Sequence, residues 1–201
     1  MPSESTLFLM QSDTVLEKII TILPEPAVES TNDVFFDLMS CIIEQQIHCR
    51  STKKIFQKML DAASLSTLTP DNFHAFEQTL SGANLAMGKY ETVLAILEFW
   101  KETPVNWQLL SDAEVRTKLA AIRGIGKWTT DMILLYSLQR PNVFPADDFH
   151  LKQVMVSLYG LNENIKLKSQ MLALAEKWGR HQSLAVKYLL AWKNFNKKTI
   201  Q

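Results

Sequence analysis

Two carboxylates stand side by side at Asp147 and Asp148, after Val143-Phe-Pro-Ala146 and before an apolar helical pattern that begins at Phe149. Acids in that place usually cap a helix, because a carboxylate accepts the first-turn N–H groups that have no intrahelical partner. One cap is enough. The expectation is that Asp147 caps the helix and leaves Asp148 for chemistry: stabilising a developing positive charge, or orienting and deprotonating a water molecule.

Some twenty residues upstream lies the most informative stretch, Leu119-Ala-Ala-Ile-Arg-Gly-Ile-Gly-Lys-Trp-Thr-Thr-Asp131. One helical pattern stops at Gly124-Ile-Gly126 and another starts at once, which describes a hairpin between two helices. Gly124 can take positive φ, and Gly126 has no side chain to keep another molecule from the backbone. With the N–H groups of Lys127, Trp128 and Thr129 at the new helix start, this arrangement suits one phosphate. Ile122 and Ile125 are expected to anchor the turn in the core. A Gly-X-Gly between helices is more often a plain tight turn, so the hairpin alone decides nothing.

The elements that must carry these residues are helices. Apolar residues recur three and four apart in Phe35, Met39, Ile42, Ile43 and in Val93, Ile96, Leu97, Trp100, and no alternating strand is visible. Starts are expected at Asp13, Asn32, Pro70-Asp71 and Ser111-Asp-Ala-Glu114, the last a capping box. Stops are expected near Gly82, Gly88, Gly124 and Gly160. The reading is an all-α chain of roughly ten helices with short connections.

Composition bounds the partners. A chain of 201 residues with 47% apolar content can bury a real core. Its 21 basic and 21 acidic residues cancel, which argues against coating nucleic acid by bulk charge. The charges are nonetheless segregated: residues 164–201 hold eight bases and one acid, residues 1–48 the reverse, so a local basic face is possible. Two oppositely charged segments that pack together would explain the same pattern. The two cysteines, Cys41 and Cys49, cannot ligate an iron–sulfur cluster or a four-cysteine zinc site by themselves. No base precedes Lys18 and no apolar run reaches membrane-spanning length, so no membrane association is expected, and the default location is the cytoplasm.

Together, four separated segments resemble the helix-hairpin-helix DNA glycosylases, in particular the 3-methyladenine DNA glycosylase II group. They are the hairpin, Phe144-Pro-Ala-Asp-Asp148, Ile42-Ile-Glu-Gln-Gln-Ile47 upstream, and Trp178-Gly-Arg-His-Gln-Ser-Leu-Ala185 continuing to Tyr188-Leu-Leu-Ala-Trp192. The likeness runs from about residue 30 to residue 195. It implies hydrolysis of the bond joining an alkylated purine, 3-methyladenine or 7-methylguanine, to deoxyribose in double-stranded DNA, with Asp148 as the catalytic carboxylate. Gly124, Gly126, Lys127 and Thr129 map onto DNA contacts. Gln46 maps onto the residue that fills the gap left by the extruded base. His48, where most relatives carry a small serine, is placed to reach the minor groove, or is an ordinary surface residue.

Trp128 and Trp192 match pocket positions, where indole faces attract a cationic base, although aromatics at this spacing also serve as core. Met132 stands where some relatives have tyrosine. Bifunctional relatives carry a lysine nucleophile at position 128, so the resemblance implies no strand cleavage here. The carbonyls of Ala120, Ile122 and Ile125 map onto a site for a monovalent cation, Na+ or K+; no other cofactor and no iron–sulfur cluster is expected.

The whole chain then reads as one catalytic unit, 1–201, a two-lobed helical bundle with a cleft between the lobes. One lobe comprises about 1–30 plus 150–201, and the other about 31–149 with the hairpin. The expected protein is a monomer, cytoplasmic and nucleoid-associated in a bacterium or nuclear in a eukaryote. Two other readings use fewer residues. A non-catalytic hairpin module that binds DNA has no use for Asp148 or an aromatic pocket, and a helical scaffold with a plain turn has no salt-dependent DNA affinity.

Overall fold

The computed structural model describes residues 2–27, 30–44, 54–80, 86–102 and 104–199. Among them the chain forms eleven α-helices and no strand. In order these are α1 (Glu4–Ser12), α2 (Thr14–Ile22), α3 (Val34–Glu44), α4 (Lys54–Ala62), α5 (Phe73–Leu80), α6 (Met87–Glu102), α7 (Asp112–Ala120), α8 (Lys127–Met132), α9 (Phe149–Tyr159), α10 (Leu167–Glu176) and α11 (Gln182–Thr199). A single π-helical turn, Ile133–Ser137, continues α8. No helix among the described residues is long and apolar enough to cross a membrane.

Local chemistry sets the helix ends. Ser111 and Glu114 form the reciprocal capping box at α7. Asp13 caps α2 through Val15 and Leu16 N–H, and Gly160 ends α9 in the left-handed region at φ 61°. Two expectations shift. Asp33, not Asn32, caps α3 by accepting Phe36 N–H, and Asn32 itself adopts φ 56°. Gly88 stops nothing: it lies in the first turn of α6, where a glycine costs little. Pro70-Asp71 does precede α5, but the hydrogen bonds there are made by Thr69 and Asn72, each accepting the other's N–H. Gly82 lies outside the described residues.

The chain divides into two compact units. Residues Ser30–Leu138 hold α3 to α8 around a core that includes Leu38, Met39, Ile42, Ile43, Phe56, Phe76, Val93 and Ile96. Here α3 is central, packing on α4, α6, α8 and the π turn. Ser137 at the end of that turn donates to Asp37 of α3 at 2.6 Å. Glu44 accepts the N–H groups of Ile55 and Phe56 and so caps α4 from the end of α3.

Residues Met1–Glu29 and Gln139–Gln201 form the other unit, so both chain ends share it. Asp13 is its hinge of polar contacts: one carboxylate oxygen caps α2, and the other accepts Tyr159 Oη and Trp178 Nε1, both at 2.9 Å. Burial, with the Asp13 carboxylate beside it, pushes the Tyr159 hydroxyl well above its ordinary value. The boundary expected near residue 149 falls at Leu138. The cause is Ser183 of α11, which donates to Arg140 O, accepts Val143 N–H, and gives its own N–H to Pro141 O. Those bonds tie the segment after residue 138 to the unit of the chain ends.

Candidate functional site

The hairpin is built within the unit of residues 30–138. Beyond α7, Ile122 N–H bonds to Leu119 O and Ile125 N–H bonds to Ile122 O, each at 3.1 Å, closing two tight turns before α8 starts. Ile122 and Ile125 are buried, as expected of anchors. The two glycines differ in kind. Gly124 has φ +89°, and a Cβ there would stand 1.9 Å from Thr92 Oγ1 on α6, so packing and conformation both demand glycine. Gly126 has extended backbone, φ −95° and ψ 176°, open to any residue, and a Cβ there would meet none of the described residues within 4 Å. Packing among the described residues places no demand for glycine at 126.

Gly126 caps α8 without a side-chain hydrogen bond. Lys127 is exposed, Trp128 and Met132 are half-buried, and Thr129 is buried, which leaves only the main chain of Thr129 for outside contacts. Trp128 and Met132 are four residues apart on one helix and therefore share a face. The hairpin thus brings Gly124, Gly126, Lys127, Trp128 and Met132 together.

Sequence reasoning missed the group that holds this hairpin. Asp131 is fully buried, and each of its oxygens takes one cation: Arg116 Nη1 of α7 on Oδ1 and Lys127 Nζ on Oδ2, both at 2.6 Å. A buried carboxylate needs such partners, because desolvation alone would exceed any single gain. The spacing of Lys127 and Asp131, four apart on one helix, was a visible signal; Arg116 was not.

The acid pair lies in the other unit. Ala146 N–H bonds to Phe144 O and Asp148 N–H to Pro145 O, so the Phe144–Asp148 segment coils tightly before α9. Phe144 packs edge-on against Trp178 at 5.8 Å. The expected assignment of caps is reversed. Asp148 is the N-cap of α9, its Oδ1 accepting Leu151 N–H at 2.7 Å, and it is buried. Asp147 instead takes Lys168 Nζ on both oxygens, at 2.8 and 2.9 Å. The reason is the turn itself, which delays the helix by one residue and puts Asp148 at the first-turn N–H groups. The helix start fixes the orientation of the Asp148 carboxylate, and the Ser183 bonds fix the loop that delivers it. The Trp178 to Ala185 segment therefore does structural work for Asp148.

Trp192 lies on α11, half-buried, stacked on Phe195 at 5.8 Å with 26° between the rings. It borders a cavity of about 180 Å³ with Gln153, Val154 and Ser157 of α9 and Asn196 of α11. Its Nε1 is buried and has no hydrogen-bond partner among the described residues. Gln46 and His48 lie outside the described residues.

Solved structures resemble this architecture closely. A 3-methyladenine DNA glycosylase from Archaeoglobus fulgidus superposes with a TM-score of 0.79 at 25% identity, over 97% of this chain and 70% of that one. A Schizosaccharomyces pombe 3-methyladenine DNA glycosylase in complex with abasic DNA gives 0.78 at 22%, over 94% and 95%. The chain shares the fold of these 3-methyladenine DNA glycosylases. Sequence comparison agrees. DNA-3-methyladenine glycosylase 1 of Schizosaccharomyces pombe is 26% identical over 163 residues, 78% of this chain and 70% of the relative. YfjP of Bacillus subtilis, provisionally named a DNA-3-methyladenine glycosylase, is 27% identical over 166 residues, 78% of this chain and 58% of its own length. The chain matches no family model. The glycosylase fold also carries other chemistry: a Clostridium acetobutylicum 8-oxoguanine glycosylase/lyase in complex with DNA superposes with a TM-score of 0.76 at 22% identity, over 96% of this chain and 70% of that one.

Proposed function

We propose that the chain is a monofunctional DNA glycosylase that hydrolyses the N-glycosidic bond of alkylated purines, 3-methyladenine and 7-methylguanine, in duplex DNA. The observation that carries this reading is Asp148, a buried carboxylate held at a helix start by Leu151 N–H, in a chain whose relatives bear the names of 3-methyladenine glycosylases.

Methylation at N3 or N7 makes the base cationic and a good leaving group. As the bond from C1′ to the base breaks, its electron pair neutralises the base, and positive charge moves onto the sugar. The Asp148 carboxylate stabilises that charge, having been oriented in advance at no cost during the reaction. Water then adds to C1′ and gives up its proton, which the same carboxylate can accept, leaving an abasic sugar and a free base. Trp128, with Met132 beside it on α8, offers an indole face to a cationic base, and Trp192 on α11 is another candidate for that contact.

The base must leave the stack to react, and Gln46 is the residue proposed to take its place, with His48 beside it in the minor groove. DNA approaches over Gly126, where the backbone is open, and the Lys127 to Thr129 main chain meets a phosphate. Position 128 decides between hydrolysis and strand cleavage in this fold, and tryptophan has no amine to form a Schiff base. The carbonyls of Ala120, Ile122 and Ile125 are the atoms for a Na+ or K+ ion. The Ile122 carbonyl accepts Ile125 N–H and keeps its second lone pair for such an ion. Such an ion would stiffen the turn and would take no part in bond breaking.

Asp148 as a cap also favours a second reading, a non-catalytic hairpin module in which the acid is purely structural. Base release from DNA treated with a simple methylating agent, with separation of free 3-methyladenine and 7-methylguanine, decides between them. Salt-dependent DNA binding without release of either base overturns the enzyme and leaves the module.

A further inference from the structure

Arg116, Lys127 and Asp131 form a unit whose charge distribution is lopsided. The anion is fully buried, while the side chains of Arg116 and Lys127 are 38% and 55% exposed. The two cations satisfy the buried carboxylate, yet both of their heads remain within reach of solvent. The arrangement does something else: it holds two flexible, solvent-facing cations at one place on the hairpin, with a net charge of +1. We propose that Asp131 is a positioning residue that presents Arg116 and Lys127 together to a DNA phosphate, and that Arg116 is a DNA-binding residue. This rests on the DNA-binding reading above.

The physical gain is pre-organisation. An unrestrained lysine or arginine loses side-chain freedom when it grips a phosphate, which offsets part of the attraction. Asp131 has already ordered both. Arg116 has five N–H donors, of which the geometry assigns Nη1 to Asp131, so its remaining donors can face a phosphate without breaking the pair. Lys127 has two further hydrogens in the same situation.

The proposal runs against simple electrostatics, which makes it testable. Asp131→Asn removes a negative charge from the hairpin, so Coulomb attraction alone tightens DNA binding. Positioning predicts the opposite: about tenfold weaker binding at ~0.1 M salt, since the two cations are released to wander. Affinity for an abasic-site duplex is measured across a salt series by fluorescence anisotropy, with circular dichroism and melting alongside. Arg116→Gln and Lys127→Gln should each weaken binding and lower the salt slope by about one, the signature of one lost phosphate contact. Arg116→Lys, which keeps the charge, should retain the slope.

A purely structural clamp predicts lower melting temperatures with unchanged slopes. That result, or a folded Asp131→Asn protein that binds as tightly as the parent or tighter, overturns the proposal. Should Asp131→Asn fail to fold, the slopes of the Arg116 and Lys127 variants decide alone. An unaltered protein with no salt-dependent affinity would instead remove the DNA reading itself, and this proposal with it.

Discussion

Asp148 is asked to do two things, and the two separate experimentally. Its Oδ1 caps α9 through Leu151 N–H at 2.7 Å, while the charge of the carboxylate is assigned to the sugar. Asp148→Asn keeps an oxygen where Oδ1 stands, and asparagine caps helices as well as aspartate does. Stability should therefore hold to within a few tenths of a kcal/mol, below about 1 °C in melting temperature for a chain of this size. The charge is lost, however, and removal of one such stabilising group costs about 2.7–4 kcal/mol of transition-state energy, roughly a hundred- to a thousandfold in rate. Asp148→Ala loses the cap as well, so it should show the same rate defect plus about 1 kcal/mol, or 2–4 °C. Asp147→Asn weakens a half-exposed pair with Lys168, worth about 0–1 kcal/mol, and excision should stay within about threefold. Single-turnover release of 3-methyladenine at saturating enzyme, with melting curves on the same samples, reads both axes. Near-parental excision by Asp148→Asn refutes the carboxylate mechanism; a large rate loss in Asp147→Asn alone moves the assignment by one residue.

The two hairpin glycines should part company. Gly124→Ala meets Thr92 and an unfavourable φ, and should lose about 2–3 kcal/mol, seen as a melting drop of roughly 5–10 °C. Gly126→Val should melt like the parent yet bind abasic and undamaged duplexes more weakly; unchanged affinity would contradict close DNA approach at that residue. Gln46→Ala should slow excision more from a well-stacked duplex than from single-stranded substrate, and equal effects would exclude a gap-filling role. Glu114 is held below its ordinary 4.5 by the Ser111 hydroxyl and backbone N–H. The capping box should thus be fully present above about pH 4.5 and fade as pH falls through the lowered value. Ser111→Ala should flatten the fall in melting temperature as pH drops below about 4.5, and an unchanged pH profile would refute the linkage.

Much of the hairpin was legible because its causes are local. A helical pattern that stops and restarts within three residues needs a left-handed turn, and only Gly124 supplies one without strain; Ile122 and Ile125 follow from apolar spacing around it. The caps were legible only to within a residue. Adjacent acids, or Asn32 beside Asp33, offer the same chemistry to the same N–H groups, and what selects between them is how tightly the preceding segment turns. For Asp148 the loop leading into that turn is held by hydrogen bonds with Ser183, forty residues away from its partner Val143. Tertiary partners of that kind leave no periodic trace.

Asp131 shows the same limit from the opposite side. Its spacing from Lys127 is visible in the sequence, and on a solvent-facing helix it would mean a few tenths of a kcal/mol. Burial changes its meaning. Once α8 turns Asp131 inward, the carboxylate must find a second cation, and Arg116 on the neighbouring helix is where the fold provides one. A pair that reads as ordinary surface decoration thereby becomes the joint between the two helices of the hairpin. The net charge of zero hides this too, since the +1 on that joint is local, and a local charge beside an open backbone at Gly126 is the kind of feature that a whole-chain sum averages away.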